Sequence, residues 1–153
     1  MQLKEFLAQR QVGFEVIEHP TTYDAQRLAH SVHTPGSQVA KTVLLHADHD
    51  FVEVLAVLPA DCKVDMQKVS QALGGAEVEL ATEAQVAEHC PDCEVGVLPP
   101  FGSQYGLNTL VDESLARQKE IVFEGNSHHE AIRMSFEDYR RLENPTIISF
   151  SRR

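Results

Sequence analysis

Four groupings in this sequence have residue types that could do chemistry: a cysteine pair, a set of histidines, a lysine heading an apolar run, and a glycine- and proline-rich loop. Cys90-Pro91-Asp92-Cys93 has the spacing of a zinc half-site or a redox dithiol, with His89 beside it. A structural zinc normally needs four ligands. The third cysteine, Cys62, is isolated, and neither His46/His49 nor His128/His129 has the spacing of a zinc histidine pair. A redox pair belongs at the start of a helix in a βαβ unit, whereas this one follows a helical stretch and precedes Gly96. The pair reads as an ordinary loop, with metal binding and redox chemistry as its alternatives.

Eight histidines are many for 153 residues, and each could exchange a proton near neutrality. His46 and His49 read as solvated loop residues. His19, beside Pro20, and His128-His129, after Gly125, fall at strand ends, where site residues collect. Lys41 lies in Val39-Ala40-Lys41-Thr42-Val43-Leu44-Leu45, where a lysine is costly to bury without a partner. Either it snorkels from the strand end, or it aims a cation into a pocket, able to orient a carbonyl or phosphate group. Gly96-Val97-Leu98-Pro99-Pro100-Phe101-Gly102 could supply the complement. Glycine lets backbone approach a ligand, the prolines stiffen the path, and N–H groups there could stabilise an oxyanion. No serine has the context of a nucleophile elbow, and neither a P-loop nor a dinucleotide glycine fingerprint occurs.

These groups need elements to position them. Leu3, Phe6 and Leu7 share one side of a first helix that should stop at Gly13 in a left-handed cap. Phe14–Glu18 reads as a strand closed by His19-Pro20, and Asp24 as the cap of a second helix broken at His33-Thr34-Pro35-Gly36. Val39–Leu45 and Phe51–Leu58 are Val- and Leu-rich strands joined by a polar hairpin loop, His46–Asp50. Asp65 caps a short helix ended by Gly74-Gly75, Val78 and Leu80 mark a brief strand, and Thr82 with Gln85 has capping-box spacing for a helix to His89. The Gly96–Gly102 segment is too rich in Pro and Gly for a regular element and too apolar to float in solvent, so it should pack as a loop. Strands follow at Asn108–Asp112, Ile121–Glu124 and Ala131–Met134. Ser135 with Asp138 resembles another capping box for a helix through Leu142, and Thr146–Phe150 reads as a final strand. The expected class is α+β, one domain over residues 1–153, with a mixed, mainly antiparallel sheet and short flanking helices.

Lys and Arg number 13 against 23 Asp and Glu, a net charge of −10 that argues against coating nucleic acid or an anionic membrane broadly. No run approaches the roughly 18–20 apolar residues of a membrane span. The opening MQLKEFLAQRQ mixes charged and apolar residues at helical spacing and is expected to be neither signal peptide nor anchor. Three cysteines are too few for a secreted disulfide scaffold, so a reducing, cytoplasmic setting is expected.

Taken in order, His19-Pro20 with Tyr23, Val39-Ala40-Lys41-Thr42-Val43, Gly96-x-x-x-Pro100 with Phe101-Gly102, and Phe123-Glu124-Gly125 followed by Ile132-Arg133-Met134 carry a resemblance across nearly the whole chain. They resemble the YbaK/ProX family of aminoacyl-tRNA deacylases, related to the editing insertion domain of bacterial prolyl-tRNA synthetase. The resemblance implies hydrolysis of the ester joining a wrong amino acid to tRNA, usually tRNA for proline, by a trans-acting factor without metal or other cofactor. It implies that Lys41 holds the substrate near the ester and terminal adenosine, and that the Gly96 backbone positions the carbonyl and stabilises the oxyanion. Water, or a hydroxyl of the terminal ribose, would supply the missing reactivity.

Tyr23, Thr42, Pro100 and His128 are the expected substrate-binding residues. Members selective for alanine tend to have Asn directly after the lysine, where this chain has Thr42, which leaves the edited amino acid open. The implied partners are the acceptor end of a mischarged tRNA and prolyl-tRNA synthetase, with no membrane. Arg27, Lys41, Arg133, Arg140 and Arg141 are the cations from which a local tRNA grip could be drawn. A non-catalytic module that binds aminoacyl-tRNA or an amino-acid derivative is the alternative.

Overall fold

The computed structural model describes residues 2–48 and 52–153. Its described elements are α1 (Leu3–Gln9), β1 (Phe14–Glu18), α2 (Ala25–Ser31), β2 (Ala40–Ala47), β3 (Val52–Pro59), β4 (Lys63–Val64), α3 (Met66–Ala72), β5 (Val78–Leu80) and α4 (Glu83–His89). A 3-10 turn at Gly102–Tyr105 leads into β6 (Asn108–Asp112), α5 (Glu113–Ala116), β7 (Glu120–Glu124), β8 (Glu130–Ser135), α6 (Phe136–Glu143), β9 (Thr146–Ile148) and β10 (Ser151–Arg152). The helices begin where side chains can take up unpaired backbone N–H groups. Asp24 accepts from Arg27 N at 2.8 Å, Asp65 from Gln67 N and Lys68 N, and Thr82 forms the full capping box with Gln85.

The strands make a five-stranded mixed sheet in the order β5-β2-β3-β6-β9, a three-stranded antiparallel sheet β1-β8-β7, and the pair β10-β4. Within the larger sheet β3-β6 and β6-β9 run parallel and the other pairs antiparallel, so the α+β class with mixed, mainly antiparallel pairing holds. Val39 bridges in parallel to Val122, and Val122 N donates to Gln38 O at 3.1 Å. This junction carries the start of β2 against β7 and so brings Lys41 toward the end of β7.

Phe101 anchors the core. Its ring meets Phe6, Phe123 and Tyr139 edge-on at centroid distances of 5.6, 5.9 and 5.0 Å. Such edge-to-face pairs add about 0.5–1.5 kcal/mol each beyond the area they bury. The Gly96–Gly102 segment is therefore packed as expected, with its far end sunk among these rings. A Cβ on Gly102 would fall 2.8 Å from Leu107 O and nearer still to the Thr109 hydroxyl, so only glycine fits at that end of the loop.

Several elements differ from expectation. The first helix ends early and Gln11, not Gly13, takes positive φ, at 59°, because Val12 and Phe14 must turn back under the core. His46 lies within β2, in register with Glu53 and Glu79, rather than in a loop. His49, Asp50 and Phe51, the rest of the expected hairpin loop and the expected start of the next strand, lie outside the described residues. Only half of the box at Ser135 forms: its hydroxyl accepts from Asp138 N at 3.0 Å, while the Asp138 carboxylate turns to Arg141. The last strand splits into β9 and β10 because Phe150 dives into the core, and the Asp112 carboxylate accepts both Phe150 N and Ser151 N at 2.9 Å.

Candidate active site

Four distant segments converge on one cleft of about 230 Å³. The loop before α2 brings Tyr23 and Asp24, the head of β2 brings Lys41 and Thr42, the loop after α4 brings Gly96 and Leu98, and the end of β7 brings Glu124. A wider opening of about 810 Å³ shares Lys41, Asp24 and Ala25 and runs along α2 past Arg27 and His30. Lys41 thus stands between the two.

Backbone hydrogen bonds hold these segments in place. Thr22 N donates to His128 O and His19 N to His129 O, both at 3.0 Å, laying the Tyr23 segment along the turn after β7. Glu94 N donates to Asn126 O at 2.9 Å, fixing the Gly96 loop to the same turn. Gly96 is exposed on the cleft and has φ of +86°, a conformation that disfavours any side chain. A Cβ built there would stand 3.8 Å from His128 Nε2, an ordinary contact, so its backbone angle and not crowding calls for glycine.

Lys41 Nζ is 3.5 Å from Ala60 O. Burial lowers its pKa, opposed by the negative potential of Cys62 and Asp61. His128 is buried, with its ring tilted against Tyr23 at 4.9 Å between centroids. Its Nε2 lies 2.7 Å from Val95 O and its Nδ1 3.0 Å from Glu124 Oε2. Burial raises the Glu124 carboxyl above the ordinary range; His128 opposes the shift, and Glu94 and Asp24 add to it.

Of the expected site residues, Lys41, Gly96, Tyr23 and Thr42 meet at the cleft, and His128 backs it from behind Gly96 and Tyr23. Pro100 does not line it. Pro100 is buried, and its carbonyl accepts from the Tyr139 hydroxyl at 2.6 Å, so it anchors the loop. Sequence reasoning did not single out Glu124 as a site residue, although it stands in the quoted Phe123-Glu124-Gly125 motif; only folding shows that this strand end opens on the cleft.

Cys90 and Cys93 are joined by a disulfide, which corrects the reading of the pair as an ordinary loop. Asn126 Nδ2 reaches both sulfurs, at 3.8 and 3.4 Å, and Asn126 Oδ1 accepts Leu3 N at 2.8 Å. The cations are also distributed otherwise than expected. Arg27 shares a wall with Lys41, but Arg133 pairs with Glu15, and Arg140 and Arg141 pair with Glu137 and Asp138 along α6. Arg117, Arg152 and Arg153 gather instead on a third hollow, beside Asp61 and Cys62. Among the described residues, no three His, Cys, Asp or Glu side chains converge as metal ligands, and no helix is long and apolar enough to cross a membrane.

Residues 19–142 match the aminoacyl-tRNA editing domain. The proline--tRNA ligase of Brachyspira hyodysenteriae (strain ATCC 49526 / WA1) is 25% identical over 114 residues, 74% of this chain but only 19% of the ligase. Among solved structures, the hypothetical protein APE2540 superposes with a TM-score of 0.87 at 18% identity, over 99% of this chain and 100% of its own. A candidate trans-editing enzyme for prolyl tRNA synthetase superposes with a TM-score of 0.85 at 21% identity, over 99% of this chain and 95% of its own. At these identities the structural likeness is one of fold. The family match spans most of the chain and takes in every segment of the cleft: this chain belongs to the aminoacyl-tRNA editing domain family.

Proposed function

We propose that the protein is a deacylase that hydrolyses the ester of a mischarged tRNA, with tRNA for proline as substrate and prolyl-tRNA synthetase as working partner. The observation that carries this reading is that Lys41 and Gly96, 55 positions apart in the chain, line one cleft together with Tyr23 and Thr42. The inner cleft takes the aminoacyl ester, and the wider opening along α2 takes the terminal nucleotide. Lys41 reaches both chambers and orients the ester and the adenosine end. The Gly96 backbone positions the carbonyl and stabilises the negative charge that develops as the nucleophile adds, the Val97 N–H being taken by Glu94 O. Water, oriented by the free hydroxyl of the terminal ribose, adds to the carbonyl; the ester C–O bond breaks, the tRNA oxygen takes up the proton that the water gives up, and the amino acid leaves with a free carboxyl group. An aminoacyl ester is already activated, so positioning and oxyanion stabilisation account for much of the rate without a protein nucleophile. Selection among amino acids rests on the size of the inner cleft, where one methylene is worth about 1–3 kcal/mol.

The experiment is a deacylation panel of Ala-, Cys- and Ser-tRNA for proline, with a related deacylase as positive control. Release of one or more amino acids above the uncatalysed rate is the expected result. Failure to release any of them, where the control does, overturns the reading. Saturable binding without release would establish the non-catalytic module instead.

A further inference from the structure

We propose that Glu124, backed by His128, forms a subsite for the α-ammonium group of the aminoacyl ester. The inference rests on the editing function proposed above. An aminoacyl ester carries an amino group on the carbon next to its carbonyl, and α-amino groups titrate at about 7.7–8.0, so this group is mostly cationic at neutral pH. A cation drawn into a cleft must find an acceptor there or lose its hydration uncompensated.

Two carboxylates line the inner cleft, Asp24 and Glu124. Asp24 is already engaged: one oxygen accepts Arg27 N at 2.8 Å and the other lies 3.3 Å from Arg27 Nε. Glu124 differs. Its Oε2 is buried against His128 Nδ1, 3.0 Å away and equally buried, and beyond each other neither atom has a hydrogen-bond partner. The His128 side chain is only 8% exposed, so solvent does not serve Nδ1.

The protonation of this pair follows from its surroundings. Val95 O can only accept, so His128 Nε2, 2.7 Å away, carries the hydrogen. Nδ1 then faces the carboxylate, and two bare acceptors at 3.0 Å would repel unless one proton stood between them. That proton marks the place of a cation. An entering ammonium supplies three N–H donors and a full charge to the same carboxylate. The proton it replaces passes to solvent, and Nδ1 turns its lone pair to the ammonium as a second acceptor. Glu94 and Asp24 add negative potential at the same point, and among the described residues Lys41 is the one cation on the inner wall. The imidazole lies between the two ends of the substrate, with Glu124 at Nδ1 and the Gly96 loop at its other edge, so ammonium and ester carbonyl can be held together.

The subsite selects for a free amine. Esters whose amino group is acylated, including peptidyl-tRNA, have no cation to offer and are left intact.

Binding tests this without turnover. The probes are 3′-alanylamino-3′-deoxyadenosine and its N-acetyl derivative, both non-hydrolysable amides, titrated by NMR into the full chain. Wild type should bind the free amine about tenfold or more tightly, the worth of one charge-assisted hydrogen bond. Glu124→Gln should bring the two affinities within about twofold, mainly by weakening the free amine. Equal affinity of wild type for both probes, binding of neither, or a preference that persists in Glu124→Gln overturns the subsite. The wild-type comparison stands even if the variant does not fold. A protein that prefers the free amine but releases no amino acid in the deacylation panel retains this subsite and loses the proposed catalysis.

Discussion

The Tyr139 hydroxyl, fully buried on α6, donates to the carbonyl oxygen of Pro100 at 2.6 Å and so fastens the far end of the Gly96 loop to the core. Tyr139→Phe preserves the ring packing and strands that carbonyl. Equilibrium urea unfolding should show a loss of about 1–3 kcal/mol, the cost of one buried unpaired acceptor. A variant as stable as wild type would mean that the loop is held by its prolines and Phe101 alone.

Gly96→Ala and Lys41→Ala should damage activity in different ways. Alanine at Gly96 meets His128 only at ordinary contact distance but must hold φ near +86°, a strain of about 1–2 kcal/mol that the loop relieves by shifting. Lys41→Ala removes a half-buried cation whose desolvation is unfavourable, so its thermal midpoint should hold or rise. Aminoacyl-tRNA release should fall by about 100-fold or more in the lysine variant, the scale of losing one transition-state contact. Wild-type release by Lys41→Ala would remove the mechanism.

Two buried carboxylates should bend the stability curve in opposite directions with pH. Burial would raise Asp112, but donation from Ser114, Phe150 and Ser151 holds it below its ordinary 3.8. Its folded pKa is depressed, so its contribution is present above 3.8 and is lost as pH falls through the folded value. Glu143 is the reverse: burial raises it above 4.5 despite donation from Thr109 and Ser103. The folded state holds that proton more tightly, so stability declines as pH rises from 4.5 through the raised value. Denaturation midpoints measured across these windows should lose the acid-side dependence in Asp112→Asn and the second decline in Glu143→Gln.

Thiol titration checks the Cys90–Cys93 bond directly. Protein prepared without reductant should show one thiol per chain when unfolded, and three after reduction. In the native state Cys62 should react slowly, because burial and the neighbouring Asp61 push its thiol pKa up. Three thiols in the unreduced, unfolded protein would return the pair to an open loop.

Arg117, Arg152 and Arg153 line a hollow whose Pro59 and Asp61 flank Ala60 of the wide opening, and under the proposed function they would meet tRNA phosphates. Arg117→Ala or Arg152→Ala should weaken tRNA binding alike for all aminoacyl forms and lower the salt slope by about 1. Affinity for the aminoacyl-adenosine amide should stay unchanged, since the hollow lies outside the cleft. An unchanged salt slope would move the phosphate contact elsewhere, with Arg27 the next candidate.

What the sequence determined by itself was local. Asp24, Asp65 and Thr82 cap helices where their side chains reach backbone N–H groups a few residues on, and that geometry needs no distant partner. Lys41 and Gly96 were legible for the same reason: a lysine in an apolar strand and a glycine in a stiff loop are anomalies visible one segment at a time. Tertiary structure decided the rest. It placed Glu124 on the cleft, withdrew Pro100 into the core, joined Cys90 to Cys93, split the last strand at Phe150 and paired Arg133 with Glu15. Apart from the disulfide, whose cysteines are three positions apart, each of those outcomes depends on residues tens of positions apart competing for burial and for hydrogen-bond partners. Such competition is settled only when the β2–β7 junction and the Phe101 core bring the segments together.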